Sequence, residues 1–428
     1  MKKWILAITI LLASILIYIQ IFSEKPETSP IQNENLVKIA VINPEYISNP
    51  SWVDYSVITK LLQQDIDNYC SENSLKWQFD FTFYDSKADP EERVNWMKQN
   101  GIHYVIGLRS TSECDQWTYY QREKGITDML LISTGSTMAG FNGKFEGHEL
   151  LFRTRAPDDA TMKVYAKYAQ SLGITDVVSI KSKMHEKIEA VYFEEEFTRL
   201  GGKIHNITLD TSNIDWKAVM KETSKELEMV NGSGAVLFTV LQDPDVDIFT
   251  FLEEHPNLLE VKWFMPDNMY LISDKETILT NHSATIDKIG LIGIRPTLEN
   301  NTSYQLLNQR YVNATEQTNS PNGKSLEYSA GLAYDSGWLL ALSVIEANNK
   351  DPNLVAQKMS LMANKYSGVT GPIKLDSQGD RVKAHYLFTR LGLIDNKLQQ
   401  LKNGSYDCTD ENIKFEESTV IVEMNRHL

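Results

Sequence analysis

From Val37 to Pro296 the chain repeats one rhythm, and this limits the folds open to it more than any other feature. Short apolar runs, many of them β-branched or aromatic, recur as VKIAVI (37–42), WQFDFTFYD (77–85), YVIGL (104–108), MLLIST (129–134), VVSIKS (177–182), KIHNITLD (203–210), AVLFTV (235–240), VKWFMP (261–266) and KIGLIGIRP (288–296). Between them lie segments with apolar residues at helical spacing, among them 53–70, 112–124, 185–200, 215–230 and 245–255. Apolar strands separated by helices imply parallel sheets covered on both faces, so the fold class is α/β. The strands are too many for one comfortable open sheet. A break at LLFRTRAPDDA (150–160) and a second crossing at IGIRPTLEN (292–300) divide them into two doubly wound, parallel-sheet lobes. The expected division is 37–154 with 292–380 as lobe one, and 155–291 with 381–428, including a C-terminal tail, as lobe two. A long helix is expected over 324–348.

The amino terminus sets an expectation about location. Two lysines precede Trp4–Phe22, an uncharged apolar stretch long enough to nearly span a ~30 Å hydrocarbon core. By the positive-inside rule the lysines stay cytoplasmic and the rest lies outside. No small-residue cleavage pattern follows, so residues 1–22 read as an uncleaved signal-anchor rather than a cleaved signal for secretion. Residues 23–36, polar and Pro-containing, read as a tether.

Charge and motif content then narrow the function. The net charge of −15 disfavours a nucleic-acid partner, which requires a basic face. The chain lacks GxxxxGK[ST], a Gly-rich dinucleotide fingerprint after its first strand, GxSxG and HExxH. Its eight histidines include no i, i+4 pair to share a metal. The expectation is a protein with no catalytic residues, no metal and no cofactor. Three cysteines allow one bridge, for which Cys70 with Cys114 is the preferred pair.

The strand ends carry more information. In open α/β sheets ligands bind outside the carboxyl ends of the strands. YVIGL ends in Arg109-Ser110-Thr111-Ser112 and MLLI in Ser133-Thr134-Gly135-Ser136-Thr137. Such loops offer hydroxyls and backbone N–H groups that can hold a carboxylate without a lysine or arginine. N-capping by the same Ser and Thr residues is the other reading, and at this stage both stay open. VKWFMP runs into Asp267, an acid at a strand end that can accept hydrogen bonds from an ammonium group.

The segments YVIGLRSTS, LLISTGSTMAGF, LLFRTRAPDDA, VVSIKS…FEEEFTRLGGKI, AYDSGWLLALSVIEA and GVTGPIKLDSQGDRV occur in an order that resembles type I periplasmic binding proteins. The specific resemblance, over about 37–395, is to the branched-chain amino-acid (leucine/isoleucine/valine) receptor family of ABC transporters. It implies two lobes joined by a three-crossing hinge that closes on a small solute such as an amino acid or amide, with an ABC permease as membrane partner. It further implies that Ser110, Thr111, Ser112, Gly135, Ser136 and Thr137 bind an α-carboxylate and Asp267 an α-ammonium. Two departures stand out. The first loop reads NPEYISNPSW, offering Tyr46 and Trp52 as aromatic walls. The lobe-two loop reads SKMHEKIE, with Glu186 or His185 where the family has a tyrosine, which opens the pocket to a polar or cationic solute. A ligand-sensing ectodomain that signals to a membrane partner is the alternative function.

Overall fold

The computed structural model describes residues 34–43, 55–85, 89–140, 150–183, 189–210, 214–230, 232–240, 248–265, 276–317 and 325–420. Strand β1 (Leu36–Asn43) leads through α1 (Tyr55–Glu72) to β2 (Gln78–Asp85), α2 (Pro90–Gln99), β3 (Tyr104–Leu108), α3 (Thr111–Glu123), β4 (Leu130–Ser133) and β5 (Leu151–Arg153). These five strands form one parallel sheet in the order β2-β1-β3-β4-β5. Alternate β1 residues feed two cores. Val37, Ile39 and Val41 face α1, whereas Ala40 and Ile42 face the side carrying Trp117 and Met97.

The chain then enters lobe two through α4 (Asp158–Ser171), β6 (Asp176–Ser182), α5 (Ala190–Arg199), β7 (Lys203–Leu209), α6 (Trp216–Glu228), β8 (Gly234–Phe238), α7 (Ile248–Glu253), β9 (Lys262–Phe264), α8 (Glu276–Ile289) and β10 (Ile292–Pro296). It returns to lobe one as α9 (Thr302–Gln317), α10 (Tyr328–Ala347), α11 (Pro352–Ala363) and the small β11 (Ser367–Gly368) and β12 (Gly371–Pro372) pair. Helix α10 is buried nearly all round, as its apolar composition requires. Gly337 lets it approach α1: a Cβ there would lie 2.3 Å from Leu62 Cδ2. The last described elements are β13 (Tyr386–Ile394), β14 (Lys397–Asp407) and β15 (Asn412–Val420).

The second sheet has the order β15-β14-β13-β10-β9-β8-β6-β7. It departs from the expected architecture in two ways. It is mixed, because β13, β14 and β15 add to its β10 edge as an antiparallel meander. The β13–β14 turn is made by Asp395 and Asn396, both at positive φ, as a tight hairpin requires. In addition, β10, which was placed in lobe one by a boundary at 292, belongs to this second sheet. Ile292 pairs with Phe264 of β9, so the chain crosses back only after Pro296.

The Cys70–Cys114 bridge is not formed, and all three cysteines are free and buried. The physical reason is the sheet itself: Cys70 packs with α1 on one face and Cys114 with α3 on the other.

Two motif pairs fasten lobe one, the second of them at the crossings. Asp335, fully buried on α10, accepts hydrogen bonds from the amides of Val369 and Thr370 (3.0 and 2.9 Å), from the Thr370 hydroxyl and from Tyr366. Gly368 is required there, since a Cβ would fall 2.0 Å from Asp335 Oδ1. Arg153, also fully buried, makes a bidentate pair with Asp380, one bond being 2.5 Å, and donates to Met138 O. The YDSGW and GVTG segments are therefore partners of each other, as are FRT and DSQGD. Their task is structural.

Candidate functional site

Strands β1 and β3 leave in opposite directions across the first sheet, since β2 lies on one side of β1 and β3 and β4 on the other. That reversal opens a crevice at the carboxyl ends of the strands. Both hydroxyl-rich loops converge at this edge. The Leu108 carbonyl accepts from Thr134 N (3.0 Å), Gly135 N (3.1 Å) and Ser133 Oγ (2.7 Å), which locks the β4 loop onto the end of β3. Ser133 Oγ in turn accepts from Ser136 N at 3.0 Å. Thr111 Oγ1 and Ser136 Oγ then meet at 3.1 Å, one hydroxyl from each loop.

Gly135 permits the contact. A Cβ at this position would fall 1.9 Å from the Arg109 carbonyl oxygen, so any side chain would force the two loops apart.

The capping and binding readings of the serines separate here. Ser110 is the N-cap of α3, accepting from Glu113 N at 3.0 Å, while Glu113 accepts from Arg109 N at 2.9 Å and pairs with Arg93 at 3.0 Å. This is a capping-box arrangement, shifted by one amide. The Ser110 oxygen thereby caps helix α3, which leaves its O–H as a donor. Thr111 and Ser112 stand at the first two positions of α3, and their amides have no acceptor among the described residues. Ser112 is exposed, Ser136 fully buried, and Gly135 and Thr137 partly buried. The Thr137 carbonyl accepts from Asp158 N at 2.7 Å, tying the rim to the first turn of α4 in lobe two.

Tyr46, Trp52, Glu186 and Asp267 lie outside the described residues, as does the Trp4–Phe22 segment. Among the described residues no helix is long and apolar enough to cross a membrane. Among them also, no group of three His, Cys, Asp or Glu side chains is placed to hold a metal ion.

Cys114 sits beneath the rim, hydrogen-bonded to Ser133 and Ser136. Burial nonetheless pushes its thiol up to about 12, so it stays protonated and is no nucleophile.

Sequence reading missed Tyr55 and Ser329. The buried Tyr55 hydroxyl bonds Ser329 beside Arg109, bringing the start of α10 against the β3 loop. Nothing local in the sequence signals this, since 274 positions separate the two residues.

A cavity of about 570 Å³ lies elsewhere, between α4, the 376–384 segment and the β14–β15 turn. Its lysines already have carboxylate partners: Lys163 pairs with Asp159 (3.1 Å), and Lys383 (3.0 Å) and Lys167 (3.6 Å) share Glu411. The rim, with open amides, is the better site for a ligand anion.

Comparison with known proteins places the fold. A family profile described as the receptor family ligand binding region matches residues 64–388. No curated protein matches the chain. Among solved structures, an ABC transporter substrate-binding protein from Desulfitobacterium hafniense in complex with Leu is 16% identical, with a TM-score of 0.61, over 86% of this chain and 100% of that one. A leucine binding protein from Thermotoga maritima is 16% identical, with a TM-score of 0.54, over 91% of this chain and 100% of that one. The closed conformation of a leucine-, isoleucine-, valine-, threonine- and alanine-binding protein from Brucella ovis is 16% identical, with a TM-score of 0.58, over 90% of this chain and 98% of that one. At such identities the likeness establishes the two-lobed α/β fold.

Proposed function

Because the chain belongs to the family of receptor ligand-binding regions, we propose that it is a non-enzymatic receptor that captures a small solute between its two lobes. The observation that carries this reading is the rim at the sheet reversal, where Thr111, Ser136 and the open amides of Thr111 and Ser112 converge around a glycine that nothing larger can replace. Rigid backbone donors at a strand end suit a carboxylate, and they cost no reorganisation when it arrives.

The solute is an amino acid or a similar small nitrogenous molecule, in keeping with the ligands named for the similar structures. Thr111, Ser112, Gly135, Ser136 and Thr137 bind its carboxylate, with Ser110 holding the helix that presents them. Asp267 binds the ammonium, and Tyr46, Trp52 and Glu186 line the remainder. The receptor works at the extracytoplasmic face of the cell membrane, held by residues 4–22, and hands its solute to the permease of an ABC importer. Closure about the hinge couples capture to docking.

Calorimetric titration of the intact chain with single amino acids tests this. A true ligand at about 100 times its Kd adds roughly 2.7 kcal/mol of stability. Thr111→Val and Ser136→Ala should each weaken binding without unfolding the protein. Unaltered affinity in both would remove the rim from the site.

A further inference from the structure

Carboxylates outnumber cations in this chain, and five arginines are paired with them. Arg93 pairs with Glu113, Arg153 with Asp380, Arg199 with Glu196, Arg310 with Asp65 and Arg390 with Asp287. Arg381 is saturated by Thr154 O, Thr370 Oγ1 and O, Pro372 O and Lys383 O. Arg122 faces the Tyr119 ring.

Three described arginines differ. The guanidinium groups of Arg109, Arg155 and Arg295 have no hydrogen-bond or ion-pair partner among the described residues, and all three are partly buried. The Nε atoms of Arg155 and Arg295 are shut off from solvent with nothing to donate to. A fourth orphan joins them: the Tyr328 hydroxyl, on the first residue of α10, is also fully enclosed and unpaired.

Their positions share a pattern. Arg109 follows β3, Arg155 follows β5 on the first crossing, and Arg295 is near the end of β10 on the second. The first crossing is held to α10 by Thr154 and Ser336 (2.8 Å), the second to the third by Thr297 N and His385 O (3.0 Å). Arg155 lies close enough to the Tyr328 and Tyr386 phenols to act on both electrostatically, and Arg109 does the same to Tyr55. Arg155, Tyr328 and Arg109 are thus tied to the start of α10 beside the Thr111–Ser136 rim, and Arg295 comes to them from β10, one residue from Pro296, which pairs with Tyr386. Burying cationic donors without acceptors is costly, and a bound anion removes that cost.

We infer that the solute carries a second acidic group: it is an α-amino acid with an acidic side chain, whose distal carboxylate is taken by Arg155 and Arg295 with help from Tyr328 and Arg109. This assignment rests on the receptor reading above and narrows it to one substrate class. It reverses the expectation of a cationic solute raised by the lobe-two loop. Arginine suits the role because its planar fork matches a carboxylate.

The test is calorimetry of the intact chain with acid and amide pairs, glutamate against glutamine and aspartate against asparagine, with leucine and lysine as further probes. One of the acids should bind about tenfold to a hundredfold more tightly than its amide, since an ion pair is being exchanged for a hydrogen bond to an uncharged oxygen. Arg155→Gln and Arg295→Gln should abolish that preference by weakening the acid far more than the amide, and circular dichroism melts should show both variants folded. Equal or tighter binding of leucine, glutamine or lysine would overturn the acidic class and leave the receptor reading intact. Absence of binding to every probe would overturn the receptor reading, and this inference with it.

Discussion

Replacing Arg153 by Met tests the fastening of the hinge. The wild-type guanidinium is fully buried and holds Asp380 in a bidentate pair, and Asp380 is itself nearly buried. Removing one partner of a buried pair leaves the other charge uncompensated, at a cost of about 3–5 kcal/mol. For domains of this size each kcal/mol moves the melting temperature by about 2–4 °C, so Arg153→Met should lower Tm by about 6–20 °C. Burial already pushes the Asp380 carboxyl above its ordinary value, against the pull of Arg153. Without the arginine it rises further above the unfolded value near 3.9. The resulting penalty is present in full above that raised pKa and is relieved as pH falls through it, because the folded chain then binds the extra proton. Circular dichroism melts at pH 7 and pH 5 should show the deficit narrowing at the lower pH. The double variant Arg153→Met, Asp380→Leu should regain much of the loss. A deficit below about 2 °C, or a double variant no better than the single, would refute the fastening argument.

Two further outcomes are expected. Gly135→Ala should separate the two rim loops, costing about 1–3 kcal/mol of stability and at least tenfold in solute affinity, both readable in one thermal-shift titration. His385 lies on the third crossing, its ring between Asp407 (3.5 Å) and Glu299 (4.0 Å), with Arg381, Asp410 and Cys408 also facing it. Burial, opposed by those carboxylates, holds its pKa below the ordinary value. Its contribution is present above the unfolded value near 6.5 and is lost as pH falls through the depressed folded one. Urea unfolding should therefore show His385→Gln losing less stability than wild type between pH 7.5 and pH 5; parallel losses would exclude the effect.

The parts of this fold legible in the sequence are those set by local periodicity. Strands such as YVIGL and VVSIKS announce themselves as unbroken apolar runs because they are buried on both faces. The β13–β15 meander does not, since β14 and β15 lie at the sheet edge with mixed polar sequences such as KLQQLKNGSYD. The sheet assignment of β10 was misread because membership depends on its neighbours β9 and β13 rather than on its own residues. The Cys70–Cys114 pairing failed for a related reason: spacing does not reveal that a sheet stands between two helices. At the rim, the strand-end position of Thr111, Gly135 and Ser136 is legible in the sequence, whereas the contact between their two loops is a tertiary property. The orphaned arginines were not, because an arginine without a partner is a property of the whole arrangement, visible only when every nearby carboxylate has been accounted for.

The most direct test of the central claim is whether the lobes close on a solute. Tyr119 on α3 and Met229 just past α6 are exposed on different lobes, and the native cysteines are all buried. Cysteines introduced at these two sites of the intact chain can therefore be labelled selectively with a dye pair for single-molecule energy transfer. Titration with the amino acids above should move the molecules from a broad distribution to a single, shifted population, with a midpoint at the calorimetric Kd. A distribution that stays unchanged at saturation, while calorimetry records binding, would contradict a two-lobed receptor that closes on its ligand.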